Sequence, residues 1–211
     1  MKRASAAVES GNRFERRRER TRQDLLSAAT RVLAEKGLHA TKISDIAAAA
    51  DVGVGTFYLH FPDKETLFDA VVEDTVRRLK ATVDAARDGA AGAVAKTEAS
   101  NRAFFRFACE NREVFKIVFG HAAAYNDLIH RAQALFIADI ERTIRDGITA
   151  GDFAPLPPAL VAQAVIGMAT QVISWWTAHP SVPVEALIET TTTLALRGLC
   201  ARAPSRGGHH G

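Results

Sequence analysis

The chain has 211 residues, 47% of them hydrophobic and 24% charged, with a net charge of +3. That balance is typical of a globular protein with one large domain, or one small and one medium domain, and it excludes a disordered, collagen-like or mucin-like chain. Two cysteines, Cys109 and Cys200, exclude a disulfide framework and suit a reducing cytoplasm.

The charge is unevenly placed. Between Lys2 and Arg22 eight basic residues face three acidic ones, a local +5 against the total of +3, so the remainder sums to −2. A basic arm on a balanced protein points to a polyanionic partner, with a solvated tail as the plain alternative. Residues 1–18 are expected to form this arm as a flexible segment, without the apolar core of a secretory signal. From about residue 18 the pattern is helical: Leu25, Leu26, Ala29, Val32 and Leu33 form one face, and Gly37 stands at its C-terminal cap.

A short second helix is expected over about 44–50, with Ile43, Ile46, Ala47 and Ala50 inward and Thr41 or Lys42 at its cap. Thr41 is chemically the better capping residue. Asp51 to Gly53 break the pattern, and a third short helix follows over 54–61. Pro62 stops it, since proline disfavours helical backbone in the residue before it. Asp63 can cap a fourth helix of about 25 residues with the stripe Leu67, Phe68, Val71, Val72, Val76, Leu79 and Val83. Five more helical stretches follow, at about 93–110, 112–119, 125–150, 158–178 and 184–201. Their breaks fall at Gly89 and Gly92, at Gly151-Asp152 with prolines 155, 157 and 158, and at His179-Pro180. The expected fold class is all-α with about nine helices, and a disordered tail over 203–211. The best membrane candidate, Val161 to Ala178, contains Gln163, Thr170, Gln171 and Ser174, and reads better as a buried or interface helix.

Residues 41–68 carry the functional signal. Two short helices with a three-residue break form a helix-turn-helix, whose second helix enters the major groove. Ala47 to Ala50 are small enough for close packing of the first. On the second, Val54, Phe57 and Phe61 fall within about 60° of one another at about 100° per residue, a face for the core. Gly55, Thr56, Leu59 and His60 then point away, with Tyr58 at the edge. Thr, Tyr and His can hydrogen-bond phosphates or base edges, and Gly55 permits close backbone approach. Lys64 adds a cation at a helix N-terminus, a phosphate site. Thr41, Ser44, Gly55, Thr56, Tyr58, His60 and Lys64 are the candidate DNA contacts.

This stretch resembles the TetR family of bacterial transcriptional regulators. The residues that carry the likeness are Asp45-Ile46-Ala47, Ala50-Asp51-Val52, Gly55-Thr56-Phe57-Tyr58, His60-Phe61 and Lys64-Glu65, with Ala34-Glu35-Lys36-Gly37 ahead of them. The match covers about 19–79; beyond it, the likeness lies only in length and helix count. Asp51 stands where members often have Gly, and Gly53 where they often have Ser, so position 53 offers no side-chain phosphate contact. The resemblance implies a DNA-binding domain over 19–79 and a ligand-binding and dimerisation domain over 80–202. It also implies a cytoplasmic homodimer on a palindromic operator, most simply a repressor, with the last two helices of each subunit forming a four-helix bundle. Val161, Val165, Met168, Val172, Trp176, Leu187 and Leu194, with Leu196 and Leu199, are the candidate dimer contacts.

The C-terminal region is rich in Phe, Ile, Leu and Val and nearly free of internal charged clusters. A pocket there would be mainly apolar, with candidate lining residues Phe104, Phe107, Phe115, Val118, His121, Tyr125, Ile129, Phe136, Gln171 and Trp175. Asn126 is a further polar candidate. That composition favours a hydrophobic or amphipathic effector, fatty-acyl or aromatic, over a sugar or nucleotide. Alternatives are a DNA-binding dimer without an effector, or a metal or redox sensor using Cys109 with His121 and His130, although Cys109 in FACEN reads better as a buried structural thiol. No GxSxG, Walker, HExxH or CxxC pattern supports an enzyme, and neither a cofactor nor a metal is expected. An enzyme or a membrane-surface protein using the basic arm is the rival from another class.

Overall fold

A computed structural model describes residues 2–120 and 122–200, with side chains from residue 15 onward apart from residues 34, 38, 39, 120 and 122–126. The described residues form nine helices and no strand: α1 Lys2–Ala40, α2 Ile43–Ala49, α3 Val54–His60, α4 Lys64–Asp88, α5 Gly92–Glu110, α6 Arg112–Gly120, α7 Ala122–Ala150, α8 Pro158–Ala178 and α9 Val184–Leu199. The all-α class is as expected, and the element order is that of the sequence periodicity. Two compact units divide the chain, Met1–Thr75 and Val76–Gly211, with the division inside α4. The 203–211 tail lies outside the described residues.

One boundary differs at once. Helix α1 begins at Lys2, where the sequence suggests a flexible arm to residue 18. Ala, Arg and Glu are strong helix formers, and Glu15–Arg18 and Glu19–Arg22 stand at the i,i+3 spacing that supports a helix. Within α1, Gly37 adopts φ 75° and ψ 168°, a conformation open to glycine, and breaks the helical run where a cap is expected. Leu25, Leu26, Ala29, Val32 and Leu33 are all buried, as the stripe requires.

In the second unit α7 packs on α8, α5 on α9 and α6 on α8. Three apolar clusters hold it. Phe105, Ala108, Ile173, Trp176, Leu187 and Ile188 form one; Leu79, Val83, Phe107, Phe136 and Ile166 a second; Ala93, Ile144, Phe153 and Leu199 a third. The spacing 105/108 and 169/173/176 is the i, i+3, i+4 pattern that places these side chains on one helix face. Trp176 Nε1 donates to the Val182 carbonyl at 2.8 Å, so the indole is buried with its only donor satisfied. Cys109 is exposed rather than buried: it follows the inward Phe105, Phe107 and Ala108 and stands one residue before the end of α5.

Candidate nucleic-acid interface and ligand pocket

The helix-turn-helix is held together by backbone geometry. Lys42, not Thr41, is the N-cap of α2, and its N–H donates to Asp45 Oδ2 at 3.2 Å. Asp45 also pairs with Lys36 Nζ at 3.0 Å, and the lysine, followed by the Lys42 N–H, holds the carboxyl below its ordinary range. Thr41 is buried, and its hydroxyl donates to the Gly37 carbonyl at 2.7 Å. That removes its side chain from the surface: it ties off the carbonyl of the glycine that breaks α1 instead of facing a phosphate.

Between α2 and α3, Asp51 takes φ 55°, the left-handed region, which aspartate tolerates better than most residues. Gly53 caps α3, with Thr56 N–H donating to its carbonyl at 2.9 Å. Phe57 and Phe61 are buried with ring centroids 6.0 Å apart. Val54 is 43% exposed, not part of that inner face, because it is the first residue of a seven-residue helix and stands at the rim. The outer surface of α3 carries Gly55, Tyr58 and Leu59, with Thr56 and His60 half-buried beside it, and Ser44 is exposed on α2. Tyr58 is anchored by an edge contact to Phe57 at 5.5 Å, so its hydroxyl projects from a fixed ring. Partial burial lowers the His60 pKa, and the nearby Arg18 and Arg22 lower it further. Arg22 also stacks over Phe61, its guanidinium 5.3 Å from the ring centre, which brings basic residues of α1 to the end of α3. Asp63 caps α4 by accepting the Thr66 N–H at 2.7 Å, and that bond lowers its pKa. Lys64 is half-buried and donates to the Thr41 carbonyl at 3.2 Å.

The second unit holds a cleft of about 830 Å³, including its open mouth, between α4, α5, α7, α8 and α9. Phe104 and Phe136 line it, with Val83, Ile140, Ile144, Val165, Ile166, Met168 and Ala169. The other expected lining residues lie elsewhere. Phe107 is buried in the core, Phe115 packs against two core clusters, and Val118 is buried away from the cleft. Ile129 is half-buried outside it. Gln171 and Trp175 face outward, and Trp175 stacks on His179 with ring centres 4.2 Å apart. His121, and the side chains of Tyr125 and Asn126, fall outside the described residues.

The cleft is also more charged than the composition suggests. Arg87, Lys96 and Asp139 line it, with Thr97, Ser100, Asn101, Thr143 and Thr192. Asp139 on α7 meets Lys80 at 2.8 Å and Arg87 at 2.9 Å, both on α4, and also Arg142. Burial would raise the Asp139 pKa, but Lys80 and Arg87 outweigh it and hold the carboxyl below its ordinary range. Burial likewise opposes the charge of Lys80, and Asp139 with Asp84 outweighs that, so its pKa is raised. These residues are scattered between 80 and 142, so composition alone does not reveal them as a cluster. The legible signal is spacing: Lys96, Ser100 and Phe104 follow one another at i+4 along α5.

The expected dimer residues other than Leu194 turn inward, Leu196 and Leu199 among them. Trp176 and Leu187 are core; Val165 and Met168 line the cleft; Val161 and Val172 pack on core clusters. The outward face of α8 is one residue over, a rotation of about 100°: Leu160, Ala164, Gly167, Gln171 and Trp175. Leu194 on α9 is 60% exposed, as a contact residue must be. By length and composition α8 alone among the described helices could cross a membrane. No group of three His, Cys, Asp or Glu side chains among the described residues is placed to hold a metal ion. Cys109 and His130 are exposed there, and His121 lies outside them.

Residues 25–71 match the family model described as bacterial regulatory proteins, tetR family, and residues 90–199 match that of the tetracyclin repressor-like C-terminal domain. The chain belongs to the TetR family. It is a helix-turn-helix, DNA-binding and ligand-binding transcriptional regulator. Among its relatives, the uncharacterized HTH-type transcriptional regulator YhgD of Bacillus subtilis is 26% identical over 84% of this chain and 95% of its own. The HTH-type transcriptional repressor KstR2 of Rhodococcus jostii is 26% identical over 85% and 91%. The fold is that of the transcriptional regulator FadR from Bacillus subtilis, solved in complex with stearoyl-CoA: TM-score 0.71, 20% identity, covering 83% of this chain and 98% of that one.

Proposed function

We propose that this TetR-family member is a cytoplasmic, homodimeric repressor released from a palindromic operator by a hydrophobic or amphipathic effector. The observation that carries the reading is the cleft of the second unit, whose walls are largely apolar and whose lining includes Val83 and Arg87 of α4. Helix α4 begins at Lys64 in the DNA-binding unit and spans 25 residues, about 37 Å at 1.5 Å per residue. A ligand that prefers one arrangement of the α4 end would bias the spacing of two recognition helices, and a dimer fits its operator only near one spacing. The stearoyl-CoA bound by the FadR relative supports a long apolar ligand class.

The proposed DNA surface is Ser44, Gly55, Thr56, Tyr58, His60 and Lys64. The proposed dimer surface is the outward face of α8 with Leu194. A partner helix covering Leu160 and Trp175, which are 69% and 48% exposed, accounts for the apolar length of α8 without a membrane. The test is titration of preformed operator complexes with acyl compounds, aromatics and sugars. Release by an apolar compound is expected; release by a sugar alone would sink the effector reading. Reciprocity adds a second check, since the operator must weaken effector binding by the same factor.

A further inference from the structure

The cleft carries one charge that nothing in its walls balances. Of its lining charges, Arg87 and Asp139 belong to a network of three cations, Lys80, Arg87 and Arg142, and three carboxylates, Asp84, Asp88 and Asp139. Lys96 is different. It lines the same cleft, is half-buried, and makes no hydrogen bond or ion pair among the described residues. An ammonium in a cleft wall without a counter-charge discriminates in favour of a ligand that supplies one. Its position gives that ligand a direction. Lys96, Ser100 and Phe104 stand at i, i+4 and i+8 on α5 and all line the cleft, so within about 12 Å the wall passes from ammonium to hydroxyl to aromatic ring.

We propose that the effector is an apolar monoanion: a carboxylate held by Lys96 with the Ser100 hydroxyl, and an apolar body laid against Phe104, Phe136 and Ile166. The inference rests on the cleft being the effector site. One unpaired cation matches one negative charge. A free carboxylate therefore fits, while a coenzyme A thioester brings several phosphate charges and a polar nucleotide with a single cation to meet them.

The test is calorimetric titration of the full chain with decanoate, 1-decanol and decanoyl-coenzyme A, below their micellar concentrations. Decanoate is expected to bind about tenfold or more tighter than decanol, the margin of a charge-assisted bond. Lys96→Met should cost decanoate about ten- to hundredfold and decanol less than twofold, and Lys96→Arg should keep most of the decanoate affinity. Equal affinity for acid and alcohol, indifference of decanoate to Lys96→Met, or tightest binding by the thioester would overturn the inference. Ala195→Trp, at a half-buried position of the cleft wall, separates the two levels. If it blocks decanoate while Lys96→Met does not, only the anion claim fails. If it leaves decanoate untouched, or if wild-type protein binds neither decanoate nor decanol, the effector-site reading fails with it.

Discussion

Asp51 sets the angle between the two short helices with a φ of 55°. A left-handed residue costs about 1–2 kcal/mol for most side chains, less for aspartate and least for glycine. Asp51→Gly should therefore leave thermal stability nearly unchanged, while Asp51→Val should cost about 1–2 kcal/mol, read as a fall in melting temperature. His60 gives a second test at this scale. Its pKa lies below the ordinary 6.5, by partial burial and by Arg18 and Arg22. The unfolded chain therefore takes up the proton first as pH falls below 6.5, and this group's contribution to stability is lost toward acid pH. A phosphate beside it would act in the opposite sense. Operator DNA should raise the His60 pKa, and binding should tighten between pH 7 and 6; an NMR titration of the imidazole that moves no higher with DNA would remove His60 from the interface. Lys64→Ala should weaken specific and non-specific binding alike and flatten the salt slope by about one unit. Tyr58→Ala should weaken operator binding without that change in slope.

At the scale of elements, Gly147 shows how tightly the second unit is built. A Cβ there would lie 2.3 Å from the Phe153 ring and 2.7 Å from the Ala93 Cβ. Gly147→Ala should cost about 1–3 kcal/mol by overpacking, and Phe153→Leu in the same chain should return part of it, as chemical denaturation would measure. That contact is invisible in the sequence, where Gly147 reads only as a weak spot in a helix. The helices themselves are legible, because apolar spacing and Gly or Pro breaks are local facts: Gly37, Asp51 and Pro62 mark their boundaries directly. The recognition helix is legible for the same reason. The cleft is not, because it is made where five helices meet. Phe104 and Phe136 can be guessed as lining residues, but the hydrophobic composition hides Lys96, Arg87 and Asp139. The dimer face illustrates a finer limit. Choosing Val161, Val165, Met168, Val172 and Trp176 rather than Leu160, Ala164, Gly167, Gln171 and Trp175 is a one-residue decision, and both stripes are largely uncharged. Only packing against α5, α6 and α7 decides which one is spent on the core.

For the whole molecule, the decisive question is whether the outward face of α8 and α9 joins two copies. Leu160 and Leu194 are 69% and 60% exposed, and a hypothetical Cβ at Gly167 or Gly198 meets nothing within 4 Å, so this surface has no cover among the described residues. A single seven-residue recognition helix reaches few base pairs, and two-fold pairing doubles that reach over two half-sites. Leu194→Glu, or Ala164→Glu on α8, would bury an unpaired carboxylate at such an interface, yet would cost the isolated chain little, because both positions are exposed. Each variant should keep its helical content, sediment as a monomer, and lose operator affinity by about a hundredfold or more, since one half-site then has to supply all the binding free energy. Effector binding should respond differently: the cleft residues from Val83 to Ala195 all belong to the second unit of one chain, so a monomeric variant should still bind decanoate. A variant that remains dimeric would show that another face pairs the subunits. A variant that is monomeric yet holds the operator at full affinity would show that one recognition helix suffices, and would remove helix spacing as the route by which an effector releases DNA.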